Sequence, residues 1–167
     1  MEAVECGAAS LAMILAHYGL WVPLEELRIT CGVSRDGAKA AKILKAARSY
    51  GLEAKGLKLE LEEVFKQPTP FIAFWNFNHF VVVEGFRGRY VFINDPASGP
   101  RSVLLSDFRK SFTGVILHLS PGADFKPGGE KPSALKRLIP RLAHSKSSVG
   151  YVIAVSLLLI IPGLVLP

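Results

Sequence analysis

Residues 5–18 read ECGAASLAMILAHY, and this stretch decides the predicted architecture of the first part of the chain. Its large apolar residues recur at helical spacing and Gly19 follows as a stop signal, so we predict a helix that begins at Cys6. A cysteine in the first turn meets the positive end of the helix dipole and unpaired backbone N–H groups, which favour the nucleophilic thiolate. Taken alone, however, a free cysteine is more often a small buried residue.

Helical patterns dominate the chain up to residue 65, and strand patterns dominate after it. We predict further helices over 23–31, 38–50, 61–65 and 106–112. Runs rich in β-branched and aromatic residues predict strands over 53–59, 71–75, 79–86, 89–94 and 114–119. Gly88 lies in the tight link between two of these strands, which predicts a hairpin. Helices followed by an antiparallel sheet indicate the α+β class.

Three segments of different composition follow the predicted domain, to which we assign residues 1–120. Residues 121–132 contain three prolines and three glycines and are predicted to form a linker. Residues 133–148 predict a basic amphipathic helix, which Pro140 would kink or end early. Residues 149–167 are nineteen residues without a charge, which predicts the start of a transmembrane segment that the sequence cuts off. A buried helix of a soluble protein is the alternative, although Pro162 and Gly163 would be unusual in one.

The net charge of +6 is concentrated just before the apolar tail. Residues 126–148 hold six lysines and arginines against Glu130 alone, so the rest of the chain is nearly neutral and gives no basis for nucleic-acid binding. Basic residues beside an apolar segment favour a domain on the cytoplasmic side of the membrane. Cys6 and Cys31 could form one bridge but make no disulfide framework, and the N-terminus lacks the pattern of a signal peptide.

Three residues occur in an order that suits a cysteine peptidase. That chemistry needs a thiolate, a histidine that carries the proton and a group that orients the imidazole. His79 begins one predicted strand and Asp95 ends the next, nine and seven residues from Gly88, so pairing of the two strands would make them neighbours. The spacing permits a site formed with Cys6. Each residue also has a simpler explanation, as a strand-end histidine or as the aspartate of an Asp-Pro turn.

The remaining candidates are assigned structural roles. No Cys/His pairs stand at ligand spacing, so a zinc site is not expected, and Cys31 is predicted to be buried. The sequence has no Gly-x-x-x-x-Gly-Lys-Ser/Thr phosphate loop, so we expect neither ATP nor another cofactor to bind. The histidines left without a partner carboxylate at a strand end are His17, His118 and His144.

Three motifs in this order resemble the double-glycine leader peptidase domain, peptidase family C39. They are ECGAA at residues 5–9, HFVVV at residues 79–83, and NDP at residues 94–96 followed by Gly99-Pro100. The motif FTGV at residues 112–115 and the start of the linker also fit. The resemblance covers about residues 1–120, and the details are most similar to transporters of bacteriocin systems with nitrile-hydratase-like leader peptides.

The resemblance implies a papain-like fold with Cys6 as nucleophile, His79 as general base and acid, and Asp95 as orienting group. It implies cleavage of the leader of a ribosomally made precursor peptide after Gly-Gly or Gly-Ala. The freed bacteriocin-type peptide would be exported by the remainder of an ABC transporter, expected to be a homodimer in the bacterial inner membrane, where ATP would bind. Trp75 and Asn78, close to His79 in sequence, are predicted as walls of a narrow cleft that admits glycine.

One feature departs from the family. Its members usually carry, six residues before the cysteine, a glutamine that helps to hold the oxyanion, and this position falls ahead of Met1. Loss of one such donor typically costs on the order of a hundredfold or more in rate, so we expect either an upstream start or a weak peptidase. The alternatives are a module that binds the leader without cutting it, which the presence of Cys6 disfavours, and a papain-like hydrolase or acyl transferase with another substrate.

Overall fold

The computed structural model describes residues 5–34, 37–131 and 150–158, in two units that comprise residues 1–129 and 130–167. The first unit contains every named helix and strand. Its helices are α1 (Cys6–His17), α2 (Leu24–Thr30), α3 (Ala40–Ser49), α4 (Leu61–Val64) and α5 (Leu105–Ser111). Its strands are β1 (Leu52–Lys58), β2 (Phe71–Trp75), β3 (His79–Arg87), β4 (Tyr90–Asp95), β5 (Gly99–Leu104) and β6 (Phe112–Pro121).

The six strands form one antiparallel sheet in the order β1-β6-β2-β3-β4-β5. Strands β2 to β5 are joined by successive hairpins, and β6 returns to pair with both β1 and β2. The β3–β4 turn has Gly88 at a φ of 58°, which suits a two-residue hairpin loop. This topology places the start of β3 and the end of β4 at the same end of the sheet.

The sheet is buried on both faces, because alternate residues of its strands enter two different core clusters. In β2, Ile72 belongs to the cluster that includes α1, α2 and α3, whereas Phe71 and Ala73 belong to the cluster that includes Phe108 of α5. The neighbouring β3 alternates in the same way. Two-sided burial explains why these strands are continuous apolar runs in the sequence.

Helix α1 lies deepest, since most of its twelve residues are buried. A helix that is apolar on nearly all sides must be surrounded by other elements. It packs against β3, α2 and α3. The approach to α3 is close: a Cβ atom on Gly7 would lie 2.6 Å from Cδ1 of Ile43, so only glycine fits without displacing that side chain.

The predicted α+β class is confirmed, and every predicted helix and strand of the first unit is present within two residues of its predicted bounds. The sequence-based prediction missed β5. This strand contains Pro100, has mostly exposed residues and pairs only with β4 at the edge of the sheet. Proline is tolerated at such an edge because no ladder bond is needed on the outer side, but the apolar alternation that reveals a strand is then absent.

Residues 121–129, predicted as part of a linker, lie against the domain. Pro121 is the last residue of β6, and the Gly122 N–H donates to the Gly51 carbonyl at 3.0 Å. The Trp21 N–H donates to the Gly128 carbonyl at 2.8 Å. Phe125 packs on the first core cluster, with its ring 6.2 Å from that of Tyr18.

The predicted basic helix 133–148 lies outside the described residues, and so does about half of the predicted transmembrane segment 149–167. Residues 150–158 of that segment are helical and exposed. Within the described parts of the chain, no helix is long and apolar enough to cross a bilayer.

We predict that Phe108→Ala destabilises the domain strongly. Phe108 is fully buried, and its ring contacts those of Trp75, Phe86 and Phe112. Removal of such a ring typically lowers the free energy of unfolding by about 3–5 kcal/mol. Urea denaturation of the full chain measures this loss. The half-exposed Phe92 is the matched control, because Phe92→Ala should cost about 1 kcal/mol or less. Equal losses in the two variants would contradict the assignment of Phe108 to the core.

Candidate active site

Cys6 is the first residue of α1 and is only 5% exposed. The N–H groups of the first helical turn have no partner within the helix, and the helix dipole is positive at this end. The neighbouring Glu5 is paired with Arg28 of α2 at 2.8 Å. This ion pair fixes the start of α1 against α2 and offsets the negative charge of the carboxylate next to the thiol.

A buried hydrogen bond ties α1 to β3 beside the candidate residues. Ser10, four residues after Cys6 on the helix, donates from Oγ to the carbonyl oxygen of Phe80 at 3.3 Å. Phe80 directly follows His79 in β3. The helix that carries the thiol and the strand that carries the imidazole are therefore joined within one residue of His79 and one helical turn of Cys6.

His79 and Asp95 are in direct contact across the sheet. The register of β3 and β4 pairs Val82 with Asn94, which brings the beginning of β3 beside the end of β4. Nε2 of His79 donates to Oδ1 of Asp95 at 2.8 Å, and the two side chains are 17% and 7% exposed. This bond leaves Nδ1 as the imidazole nitrogen available to Cys6.

The position of Asp95 is fixed by the β4–β5 turn. Its Oδ1 also accepts the Ala97 N–H at 2.8 Å, and its Oδ2 accepts Ser98 Oγ and the Arg101 guanidinium, each at 3.0 Å. Burial by itself raises the pKa of the Asp95 carboxyl. The hydrogen bonds from His79, Ala97 and Ser98 outweigh burial and lower the pKa to about 2, so Asp95 is ionised at any pH where the protein would work.

The imidazole of His79 is held in its protonated form. The hydrogen bond with the Cys6 side chain contributes most to the raised pKa of His79, while burial opposes it. The hydrogen bond with Asp95 and the electrostatic interactions with both partners add to the effect, and the pKa of His79 reaches about 9. At neutral pH the site therefore holds an imidazolium between a carboxylate and the side chain of Cys6, and a neighbouring imidazolium is an environment that favours the nucleophilic form of a cysteine.

The structure brings the predicted residues Cys6, His79 and Asp95 together, and it places Trp75 and Asn78 at the two ends of the β2–β3 turn. Trp75 is 8% exposed, and its ring lies 5.4 Å from that of Phe108 in the second core cluster. Trp75 is also the cross-strand partner of His79, so its place as a cleft wall stays a prediction. Asn78 is exposed in the β2–β3 turn next to His79.

Sequence reasoning missed three residues that position the site: Ser10, Ser98 and Arg101. The spacing Asp95-Pro-Ala-Ser98 is a signal for a side-chain-stabilised turn and could have indicated Ser98. Arg101 of β5 pairs with Ile93 of β4, which makes it the diagonal neighbour of Asp95 on one face of the sheet. That relation could not be found without β5.

The other predicted structural residues do not join this site. Cys31 is buried, and burial raises the pKa of its thiol to about 11, so it stays protonated. The ring of His17 packs edge-on against Tyr18. His144 lies outside the described residues. Across the parts of the chain that the structure describes, no group of three His, Cys, Asp or Glu residues is placed to hold a metal ion.

Comparison with known proteins agrees with this geometry. The model of the peptidase C39 family matches residues 1–124. The chain is 35% identical over 168 residues to the colicin V secretion/processing ATP-binding protein CvaB of Escherichia coli, which covers 99% of the chain and 24% of that protein. It is also 35% identical over 150 residues to the lactococcin-G-processing and transport ATP-binding protein LagD of Lactococcus lactis, covering 86% of the chain and 21% of that protein.

Solved structures show the same fold. A double glycine motif protease from an AMS/PCAT transporter, in complex with the leader peptide, is 59% identical with a TM-score of 0.71, covering 72% of this chain and 87% of that one. The peptidase domain of Streptococcus ComA, a bi-functional ABC transporter, is 26% identical with a TM-score of 0.68, covering 72% and 94%.

The chain spans about a quarter of the length of the curated relatives that it matches. The matched family segment of residues 1–124 contains Cys6, His79 and Asp95 and all six strands of the sheet. This part of the chain is a cysteine peptidase domain homologous to the double-glycine leader peptidase domains of bacteriocin transporters. The chain belongs to the peptidase C39 family.

Proposed function

We propose that this domain cleaves the leader from a ribosomally made precursor peptide after a double-glycine-type motif, with Cys6, His79 and Asp95 as its catalytic residues in a papain-like arrangement. One observation carries the proposal. The Cys6 thiol at the start of a buried helix contacts the His79 imidazole, which in turn contacts the ionised carboxylate of Asp95. The 59% identical protease in complex with its leader peptide supports the substrate class.

The proposed reaction begins with attack of the Cys6 thiolate on the carbonyl carbon of the scissile bond. The oxyanion is stabilised by the backbone N–H of Cys6 at the helix N-terminus. The His79 imidazolium gives its proton to the leaving amine, which breaks the peptide bond and leaves a thioester on Cys6. The neutral His79 then takes a proton from water, whose oxygen attacks the thioester and regenerates the thiolate. Asp95 keeps the imidazole in place throughout, and no cofactor is required.

We propose that the domain acts within a larger transporter, as the names of its curated relatives suggest. In this proposal residues 121–132 connect it to a basic segment at 133–148 and a membrane segment that starts at 149, with the peptidase on the cytoplasmic side of a bacterial membrane. The uncharged run at 149–167 and the exposed apolar side chains of residues 150–158 support the membrane segment. The rest of the transporter, paired as a homodimer, would supply ATP-driven export.

We predict that cleavage depends on Cys6. The full chain is incubated with a synthetic leader peptide that carries a Gly-Gly junction, and the products are identified by mass spectrometry. We expect one cut directly after Gly-Gly, which disappears in Cys6→Ala and in a peptide with Leu-Leu at the junction. Cys31→Ala is the matched control, since its buried, protonated thiol should not contribute. Binding of the peptide by Cys6→Ala without any cleavage by the unmodified chain would instead indicate a leader-binding module.

We also predict how the activity of the domain depends on pH. Because the pKa of His79 is about 9, kcat/KM should fall as pH rises through 9, where the imidazolium is lost, rather than near the ordinary histidine pKa of 6.5. An NMR titration of the His79 ring should show the same value. In Cys6→Ala the pKa of His79 should move down, since the largest contribution is removed. A midpoint that is the same in both proteins would contradict the Cys6–His79 contact.

The same pair makes stability depend on pH. The pKa of His79 is higher in the folded protein than in the unfolded chain, so its stabilising effect is complete below about 6.5 and is lost as pH rises through about 9. The free energy of unfolding should therefore fall more steeply between these pH values in the unmodified chain than in Cys6→Ala.

Replacement of Asp95 should separate orientation of the His79 imidazole from binding of the leader peptide. Asp95→Ala should lower kcat by about a hundredfold or more, because the imidazole loses the group that orients it. The affinity of the peptide, measured in a Cys6→Ala background, should change by no more than about twofold. The pKa of His79 should also fall. Asp107→Asn removes an exposed carboxylate on α5 and serves as control. Equal losses of kcat, affinity and stability in Asp95→Ala would mean that Asp95 acts only in folding.

A further inference from the structure

The turn between β2 and β3 has an unusual residue at one of its positions. Asn76 and Phe77 have φ angles of 49° and 58°, and the Asn78 N–H donates to the Trp75 carbonyl at 3.2 Å. Two successive residues with positive φ are the pattern of a type I′ turn, in which Asn followed by Gly is strongly preferred. Asn76 fits this preference. A large aromatic residue with positive φ, as at Phe77, is a conformational outlier.

Burial does not explain Phe77 either. Its side chain is 78% exposed, which is among the highest values for large apolar residues of the first unit. Its ring lies 6.4 Å from that of Phe74, near the outer limit for an edge-to-face pair. A glycine would adopt the same backbone conformation more easily and would leave no apolar ring in water. Neither the turn nor the core therefore requires an aromatic side chain here.

The position of the β2–β3 turn next to His79 indicates a function for the Phe77 ring. Phe77 lies two residues before His79, and the turn is held rigidly: the Asn76 N–H donates to the Ser111 carbonyl at 2.8 Å, and Thr113 Oγ1 donates to the Phe74 carbonyl at 2.9 Å. Bonds to α5 and β6 thus hold the backbone of the turn that carries this exposed ring close to the strand that carries His79. Strained backbone that the surrounding structure holds in place is concentrated at functional sites.

We infer that Phe77 is a specificity-determining residue that covers an apolar side chain of the peptide substrate beside the scissile bond. This inference rests on the proposed peptidase function. The glycines of a double-glycine junction have no side chains to contact, so the ring must meet a neighbouring residue of the peptide. Contact would remove both apolar surfaces from water, which gives binding energy that the free enzyme does not use.

Phe77→Gly tests this inference, because its effects on binding and on stability should be opposite. The full chain with Phe77→Gly should keep or raise its melting temperature, since glycine suits the turn. Its KM for the leader peptide should rise about tenfold, the typical effect of losing one buried apolar contact, with kcat within about twofold. Phe77→Leu should keep much of the affinity without relieving the backbone. Tyr90→Ala removes an exposed aromatic side chain at the start of β4, beside the far end of β3, and should leave KM unchanged.

The contacted residue of the peptide follows from a second series. Apolar residues on each side of the junction are replaced one at a time by serine, and the position whose replacement no longer matters in Phe77→Gly is the partner of the ring. Affinities are measured by fluorescence anisotropy in a Cys6→Ala background, so the result does not depend on turnover. An unchanged dissociation constant and KM in Phe77→Gly overturn the inference, as does a lower melting temperature with equal loss of binding. Absence of cleavage by the unmodified chain overturns the proposed function instead.

Discussion

The site depends on one register, the pairing of β3 with β4. The strands are antiparallel and joined by a two-residue turn, and an irregularity between Val83 and Gly85 shifts their pairing by one residue. Val82 therefore pairs with Asn94, which puts Asp95 on the same face of the sheet as His79, and the two side chains are hydrogen bonded. A shift of one residue would turn each side chain to the opposite face of the sheet. The apolar residues of both strands enter two cores, so such a shift would expose them to water. The burial that folds the sheet thus also fixes the geometry of the candidate site.

The thiol reaches this pair because α1 is the most buried helix of the domain. Its apolar surface holds it between the sheet and the other helices, and Gly7 allows the close approach to α3. The polar contacts of the helix are few and specific. Glu5 pairs with Arg28 at its beginning, and Ser10 bonds to the backbone of β3 next to His79. Non-directional burial therefore sets the depth of the helix, and two directional contacts set where Cys6 stands along the strand.

The charges at the site form a balanced series rather than isolated pairs. Arg101 and His79 lie on opposite oxygens of Asp95, and Cys6 lies on the far side of the imidazole. A buried carboxylate is costly unless its lone pairs are satisfied, and here the β4–β5 turn and Arg101 satisfy those that His79 does not. The edge strand β5 therefore contributes to the candidate site although it contributes little to the core. It carries Arg101, the cation that completes the environment of the Asp95 carboxylate.

Much of this structure was determined by the sequence alone. Helical and strand periodicities gave the elements within two residues, because both are set by local geometry and by burial of one repeating face. The order of Cys6, His79 and Asp95, with Gly88 between the last two, permitted a shared site, and the motifs that resemble the C39 family predicted it. Only the tertiary structure decided which side chains support them. Trp75 enters the core because both faces of the sheet are covered, and alternation says which residues share a face but not which face is open. Ser10 and Arg101 act on residues 70 and six positions away, through packing of α1 on β3 and through an edge strand whose proline and polar residues leave no periodic pattern. The exposed ring of Phe77 could likewise be recognised only from its backbone angle and its surroundings, since in sequence it is one apolar residue among many.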